Sequence, residues 1–341
     1  MRIFKNGVLS LLSYRENARD GNRADLTGPA RSAIVRKTNE FYIAGALGMN
    51  KIRTGFILAG KILLLAVTAM ALLFAVCLAA VLIGLLTGRS VDQMLALLSE
   101  TAPWTIIVQD AVIVASVLIL YALYERKKGW SLGFTLRRGR AVRETIAGLV
   151  FGAALITAAV LLIWLLGGIR IRGTEWNAGV ARALAEGIAM FAVVAISEEL
   201  LARGYLYGLI RFSYGTRAAI AVTSLLFALL HFGNDHLFDS PWAVLNLILV
   251  GVLFGALREW SGGLWIPVGL HMAWNYFQGY VYGFEVSGVR VESLVRVERA
   301  GSEAVSGGSF GAEGSAVTTL VLAAGWLAAF LYYRSRGRAA G

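Results

Sequence analysis

The sequence predicts an all-α protein, a polytopic transmembrane helical bundle of about eight spans. Three observations predict it. Of 341 residues, 57% are hydrophobic and only 16% charged, against about 25% charged in an ordinary soluble domain. Apolar runs of 18 or more residues recur, each long enough to cross roughly 30 Å of hydrocarbon as a helix. The net charge of +11 would suggest nucleic acid in a soluble chain, but here the basic residues fall in short segments between apolar runs, where they act as topology signals. The expected partner is therefore the lipid bilayer and not nucleic acid. The single cysteine, Cys77, lies inside the first apolar run, so no disulfide framework, cysteine-rich zinc site or iron–sulfur cluster can be built.

In chain order, residues 1–53 read as a cytoplasmic basic tail, with ten Lys/Arg and four Asp/Glu and without the features of a signal peptide. The tail is expected to be partly disordered. Its start, with Ile3, Phe4, Val8 and Leu9 among Arg2, Lys5 and Arg15, also fits a basic amphipathic helix resting on anionic lipid. Residues 54–176 hold three spans, near 55–87, 104–124 and 144–167. Residues 177–283 form the core, with spans near 181–213, 217–232, 241–257 and 263–283. The Gly/Ser/Glu-rich stretch 284–315 reads as a flexible outer loop, and 316–341 as a last span near 316–333 with a basic tail. With the amino terminus inside, cytoplasmic segments carry 23 Lys/Arg against 7 outside, which puts both termini in the cytoplasm. A composition rich in Ala, Gly, Leu and Arg suggests a bacterial inner membrane.

Ionisable residues inside spans are costly and mark functional sites. Lys61, Asp110 and Glu186 are isolated or near span ends and read as structural. The rest are concentrated. In Ser197-Glu198-Glu199-Leu200-Leu201-Ala202-Arg203, Glu199 and Arg203 are four apart on one helical face, acid before base, and can neutralise each other. Glu198 points about 100° away and has no such partner. Phe227 and His231 form a second four-apart pair, with Phe227 able to wall a site, and His271 and Asn275 form a third. Counted from the turns near Ser213–Thr216 and Ser261–Gly263 at about 1.5 Å per residue, Glu198, His231, His271 and Asn275 reach a common depth. Pro267, four residues before His271, is expected to kink that helix and turn its face inward.

A carboxylate and an imidazole in a desolvated cavity can activate water as a general base. A second imidazole and a carboxamide can donate hydrogen bonds to a developing oxyanion. Hydrolysis of a peptide bond in a membrane-associated protein or peptide follows. Glu198, His231 and His271 would also make a three-ligand zinc set with an open water position, although the compact H-E-x-x-H pattern is absent.

These three motifs, in this order in successive spans, resemble those of the CPBP family, also called the Abi family: CAAX proteases and bacteriocin-processing enzymes, including the enzyme that trims prenylated CAAX proteins. The resemblance covers roughly residues 181–283. It implies an intramembrane endopeptidase with an all-helical, eight-span fold. It also implies that Glu198 and His231 activate the water and that His271 and Asn275 stabilise the oxyanion, with Glu199, Arg203 and Phe227 in support. Members have been described both as metalloproteases and as metal-independent glutamate proteases. The reading favoured here has no cofactor, because one carboxylate and two imidazoles show no second shell for zinc. The bacterial-looking composition argues against prenylated CAAX proteins as natural substrates. Two rival classes are a non-catalytic membrane scaffold or immunity-type binding protein, disfavoured by the intact polar set, and a transporter, disfavoured by the lack of repeat symmetry.

Overall fold

A computed structural model describes residues 29–90, 92–93, 103–134 and 138–339. The proposed amphipathic start of the tail, Ile3 to Arg15, lies outside the described residues. The chain divides into two units, Met1–Ile57 and Leu58–Gly341. The first contributes the opening of helix α1 (Pro29–Leu86), so the stretch expected to be a partly disordered tail carries helix from Pro29.

In the second unit, α2 (Pro103–Leu120) runs into a π-helical turn at Tyr121–Glu125 and is followed by α3 (Arg138–Leu165). The strand β1 (Ile169–Thr174) leads to α4 (Ala178–Glu199), which continues through a π-helical segment, Leu200–Leu206, into α5 (Tyr207–Tyr214). Then come α6 (Thr216–Leu230), α7 (Pro241–Ser261), α8 (Trp265–Tyr276) with a π-helical extension at Phe277–Val281, β2 (Val295–Arg299), the short α9 (Glu303–Ser306) and α10 (Ala316–Ala339).

Among the described residues, six helical stretches are long and apolar enough to cross a membrane: Ile52–Leu86, Trp104–Lys128, Gly139–Leu165, Ala178–Tyr214, Pro241–Ser261 and Ala316–Ser335. Large apolar side chains such as Leu63, Met70 and Phe74 stand outward on α1, a surface suited to lipid and not to water. This is an integral membrane protein. All eight expected segments are helical, but α6 has 15 residues, about 22 Å of helix, and α8 has 12. Each is short for a core of about 30 Å, although α8 continues through Phe277–Val281, and the expected count of eight spans is not confirmed.

Local chemistry sets the ends of the site helices. Asn177 caps α4 by accepting from the Val180 amide at 2.9 Å. Gly215, at φ 84°, makes the tight turn into α6. Ser240 caps α7, with Pro241 in the first turn, where a missing amide costs nothing. Pro267 plays the same part in α8. That helix begins at Trp265, so Pro267 sits in its first turn and has no intrahelical bond to break; the expected kink is replaced by a helix start.

Helices α3 and α8 approach through glycine. A Cβ on Gly148 would lie 2.3 Å from the Ile266 carbonyl oxygen, one on Gly152 2.2 Å from that of Leu270, and one on Gly269 2.4 Å from that of Thr145. Small residues permit such backbone contact between membrane helices, where lipid provides no hydrophobic drive for association. This contact fixes the helix that carries His271 and Asn275.

The segment 284–315 has regular structure where its composition suggested a flexible linker. β2 pairs antiparallel with β1, Ile169 opposite Arg299, across an irregularity between Ile171 and Gly173. Phe310, Ala312 and Ser315 are buried. The strands are a small addition to an otherwise helical fold. Glycine and serine here serve tight turns, with Gly307 at φ 89° and Gly311 at φ 100°, so the composition marks turns and not disorder.

Candidate active site

The acid pair sits at the carboxyl end of α4, where the helix widens into its π-helical segment, a feature common at functional sites. The 100° step between adjacent helical residues sends the two carboxylates to different places. Glu199 is fully buried and bonds Arg203 Nη1 at 2.9 Å. Arg203 is equally buried and also donates from Nη2 to the Gly251 carbonyl oxygen at 3.3 Å. Its guanidinium lies 4.3 Å from the Phe227 ring centroid and 5.0 Å from that of Phe254, close enough for cation–π attraction in a dry interior. Glu198 instead faces a cavity of about 170 Å³. Its Oε2 makes no hydrogen bond among the described residues.

His231, His271 and Asn275 line the same cavity, as does Phe227. His271, on α8, lies between the two acids, with Nδ1 3.3 Å from Glu199 Oε1 and Nε2 3.9 Å from Glu198 Oε2. The first is a long hydrogen bond; the second is too long for one. Its ring stacks on Phe254 at 5.3 Å and 28°. His231 follows α6 with φ −89° and ψ 0°, a sparsely populated backbone region frequent at active sites. Its Nδ1 is 2.8 Å from the Phe227 carbonyl oxygen. A carbonyl can only accept, so Nδ1 carries the proton, and in the neutral ring Nε2 has a free lone pair.

The sequence therefore placed Glu198, His231, His271, Asn275 and Phe227 around one cavity, with Glu199 and Arg203 packed behind it. It paired Glu198 with His231 by depth, and the imidazole that stands within 4 Å of the Glu198 carboxylate is that of His271, at 3.9 Å. Among the described residues, no three His, Cys, Asp or Glu side chains stand together in a group that could hold a metal ion.

Several lining groups come from loops that the sequence reading set aside. Glu313 lines the cavity, and its Oε2 accepts from both the amide and the hydroxyl of Ser287 at 3.0 Å. Asn234 donates from Nδ2 to the Ser287 carbonyl oxygen at 3.1 Å. No periodic pattern announces these residues, because they lie between glycines and meet the site through turns. Of the residues read as structural, Lys61 pairs with the buried Glu125, which Lys128 also contacts, Glu186 pairs with Arg182, and Asp110 is buried.

Membrane helices surrounding an apolar-walled cavity, with a carboxylate and two imidazoles at its surface, define an integral membrane protein equipped for acid–base chemistry. Residues 180–277 match the family model described as type II CAAX prenyl endopeptidase Rce1-like, so this core is similar to that family. No curated protein matches the chain.

Proposed function

We propose that the protein is an intramembrane endopeptidase that hydrolyses a peptide bond of a membrane-associated protein or peptide without a metal. The observation that carries this is the cavity itself: Glu198 has an unpaired carboxylate oxygen there, and the hydrogen bond at His231 Nδ1 leaves its Nε2 as a base. In this reading Glu198 and His231 hold and deprotonate water, and the resulting hydroxide attacks the scissile carbonyl carbon. His271 and Asn275 donate to the oxyanion. Donation from His271 Nε2 requires a proton on both ring nitrogens, and a carboxylate lies near each: Glu199 at Nδ1, Glu198 at Nε2. The proton taken from water is then passed to the leaving amine as the C–N bond breaks. Glu199 and Arg203 position His271 and α8.

The test compares the amino and carboxyl termini of membrane proteins in cells that carry the wild-type protein, Glu198→Gln or Glu199→Gln at matched abundance. A terminus that requires intact Glu198 identifies both the reaction and its substrate. An unchanged set of termini, with a partner retained by both forms, would favour the scaffold reading. We also infer a bacterial cytoplasmic membrane with both termini in the cytoplasm, so a carboxyl-terminal reporter should be active only on that side.

A further inference from the structure

The cavity carries a second carboxylate, Glu313, from the segment that precedes α10. It lies outside residues 180–277, the stretch matched to the family. Oε2 is fixed by the two Ser287 donors. Oε1 makes no hydrogen bond among the described residues. The backbone behind it is also held, because Asn246 Nδ2 donates to the carbonyl oxygens of Glu313 at 2.7 Å and Ser315 at 2.8 Å, and Thr319 donates to Asn246 Oδ1 at 2.7 Å. Ser287 has φ 50°, an uncommon backbone state for a residue other than glycine, and both of its donors turn to this one oxygen. The carboxylate is thus held in place with one oxygen left over.

Among the described residues lining the cavity there is no Lys or Arg, while Glu198 and Glu313 both face it. Val286, Val289 and Val291 supply an apolar wall of the same cavity. We propose that Glu313 determines substrate specificity by taking a cationic side chain, Lys or Arg, next to the scissile bond of an internal peptide segment. The valines suit the aliphatic stem of such a residue, and the free oxygen suits its charged head. Two carboxylates and no Lys or Arg would disfavour a substrate presenting its own terminal carboxylate beside Glu313. Burial raises the Glu313 carboxyl above its ordinary range, outweighing the Ser287 donors and the nearby imidazoles. This inference rests on the protease reading for its substrate, but its binding test does not need turnover.

The experiment uses full-length protein carrying Glu198→Gln in detergent, and fluorescent apolar peptide amides that differ at one central position: Lys, norleucine or Glu. The Lys peptide should bind about tenfold tighter than the norleucine peptide, or more, as a charge-assisted hydrogen bond in a dry site allows. Adding Glu313→Gln, which keeps an acceptor for Ser287, should bring that ratio to about one. Equal binding of the Lys and norleucine peptides, no binding of either, or an equal loss for both with Glu313→Gln would overturn the proposal. Turnover of the same peptides by the wild-type protein is measured separately. Charge-selective binding without cleavage would sink the protease reading alone, and cleavage without charge selection would sink the Glu313 proposal alone.

Discussion

His271 Nδ1 lies 3.3 Å from Glu199 Oε1, and this contact joins the helix of the acid pair to the helix of the second imidazole. The same oxygen accepts from Arg203. Glu199 thus serves as a hub between α4 and α8, while its neighbour Glu198 is left to the cavity.

Glu199→Gln should lower stability more than it alters chemistry. It removes the countercharge of an arginine that is completely buried, and breaking such a pair by deleting one partner costs about 3–5 kcal/mol. The expected result is a large drop in thermal midpoint and in cellular protein level, with residual cleavage per folded molecule. Glu198→Gln, whose Oε2 makes no hydrogen bond and lies 3.9 Å from His271 Nε2, should lower the midpoint far less and lose cleavage. Equal activity loss at equal abundance would refute this division of labour.

Asn275→Ala should reduce kcat with little change in KM. A donor that acts on the oxyanion contributes only once the carbonyl has begun to change, and removing one such donor costs about 10²- to 10³-fold in kcat in well-studied hydrolases. A rise in KM at constant kcat would place Asn275 in substrate binding instead.

Gly152→Ala should destabilise the protein although it touches no polar site residue. The added Cβ would meet a backbone oxygen 2.2 Å away, so the helices must separate, at a cost of about 1–3 kcal/mol or more. Gly60→Ala, with nothing within 4 Å of its Cβ, is the matched control. Thermal midpoints in detergent should fall for the first and hold for the second, and cleavage should fall with the first because α8 carries His271 and Asn275.

The site was legible where it repeats at helical spacing. Glu199 and Arg203, Phe227 and His231, and His271 and Asn275 are each four residues apart, and charge inside an apolar run draws notice to them. What escaped notice depends on where helices start and on what loops touch. Pro267 signals a kink only if helix precedes it, and α8 starts two residues earlier. Glu313 and Ser287 sit among glycines that imitate a linker in composition, yet Gly307 and Gly311 make the turns that bring Glu313 to the cavity. The close approach of α3 and α8 at Gly148, Gly152 and Gly269 is not legible in the sequence, since a glycine in an apolar run does not specify which backbone it packs against. Depth counting placed the imidazoles in one layer but could not say which of them stands nearer to Glu198.

The pH dependence of stability should separate Glu313 from the other acids. Burial pushes its carboxyl up, while the Ser287 donors and the nearby imidazoles of His231 and His271 pull it down, and burial prevails. The folded protein therefore holds this proton more tightly than the unfolded chain, whose glutamates titrate near an ordinary value of about 4.3. The resulting stabilisation is complete below that value and is lost as pH rises through the higher folded-state value. Glu313→Gln cannot lose a proton and escapes the loss, so its thermal midpoint should gain on wild type progressively from the ordinary carboxylate range toward neutral pH. Measuring both midpoints across that range cancels the titrations the two proteins share. A difference that stays flat, or shrinks as pH rises, would show that the Glu313 carboxyl is not raised in the folded protein.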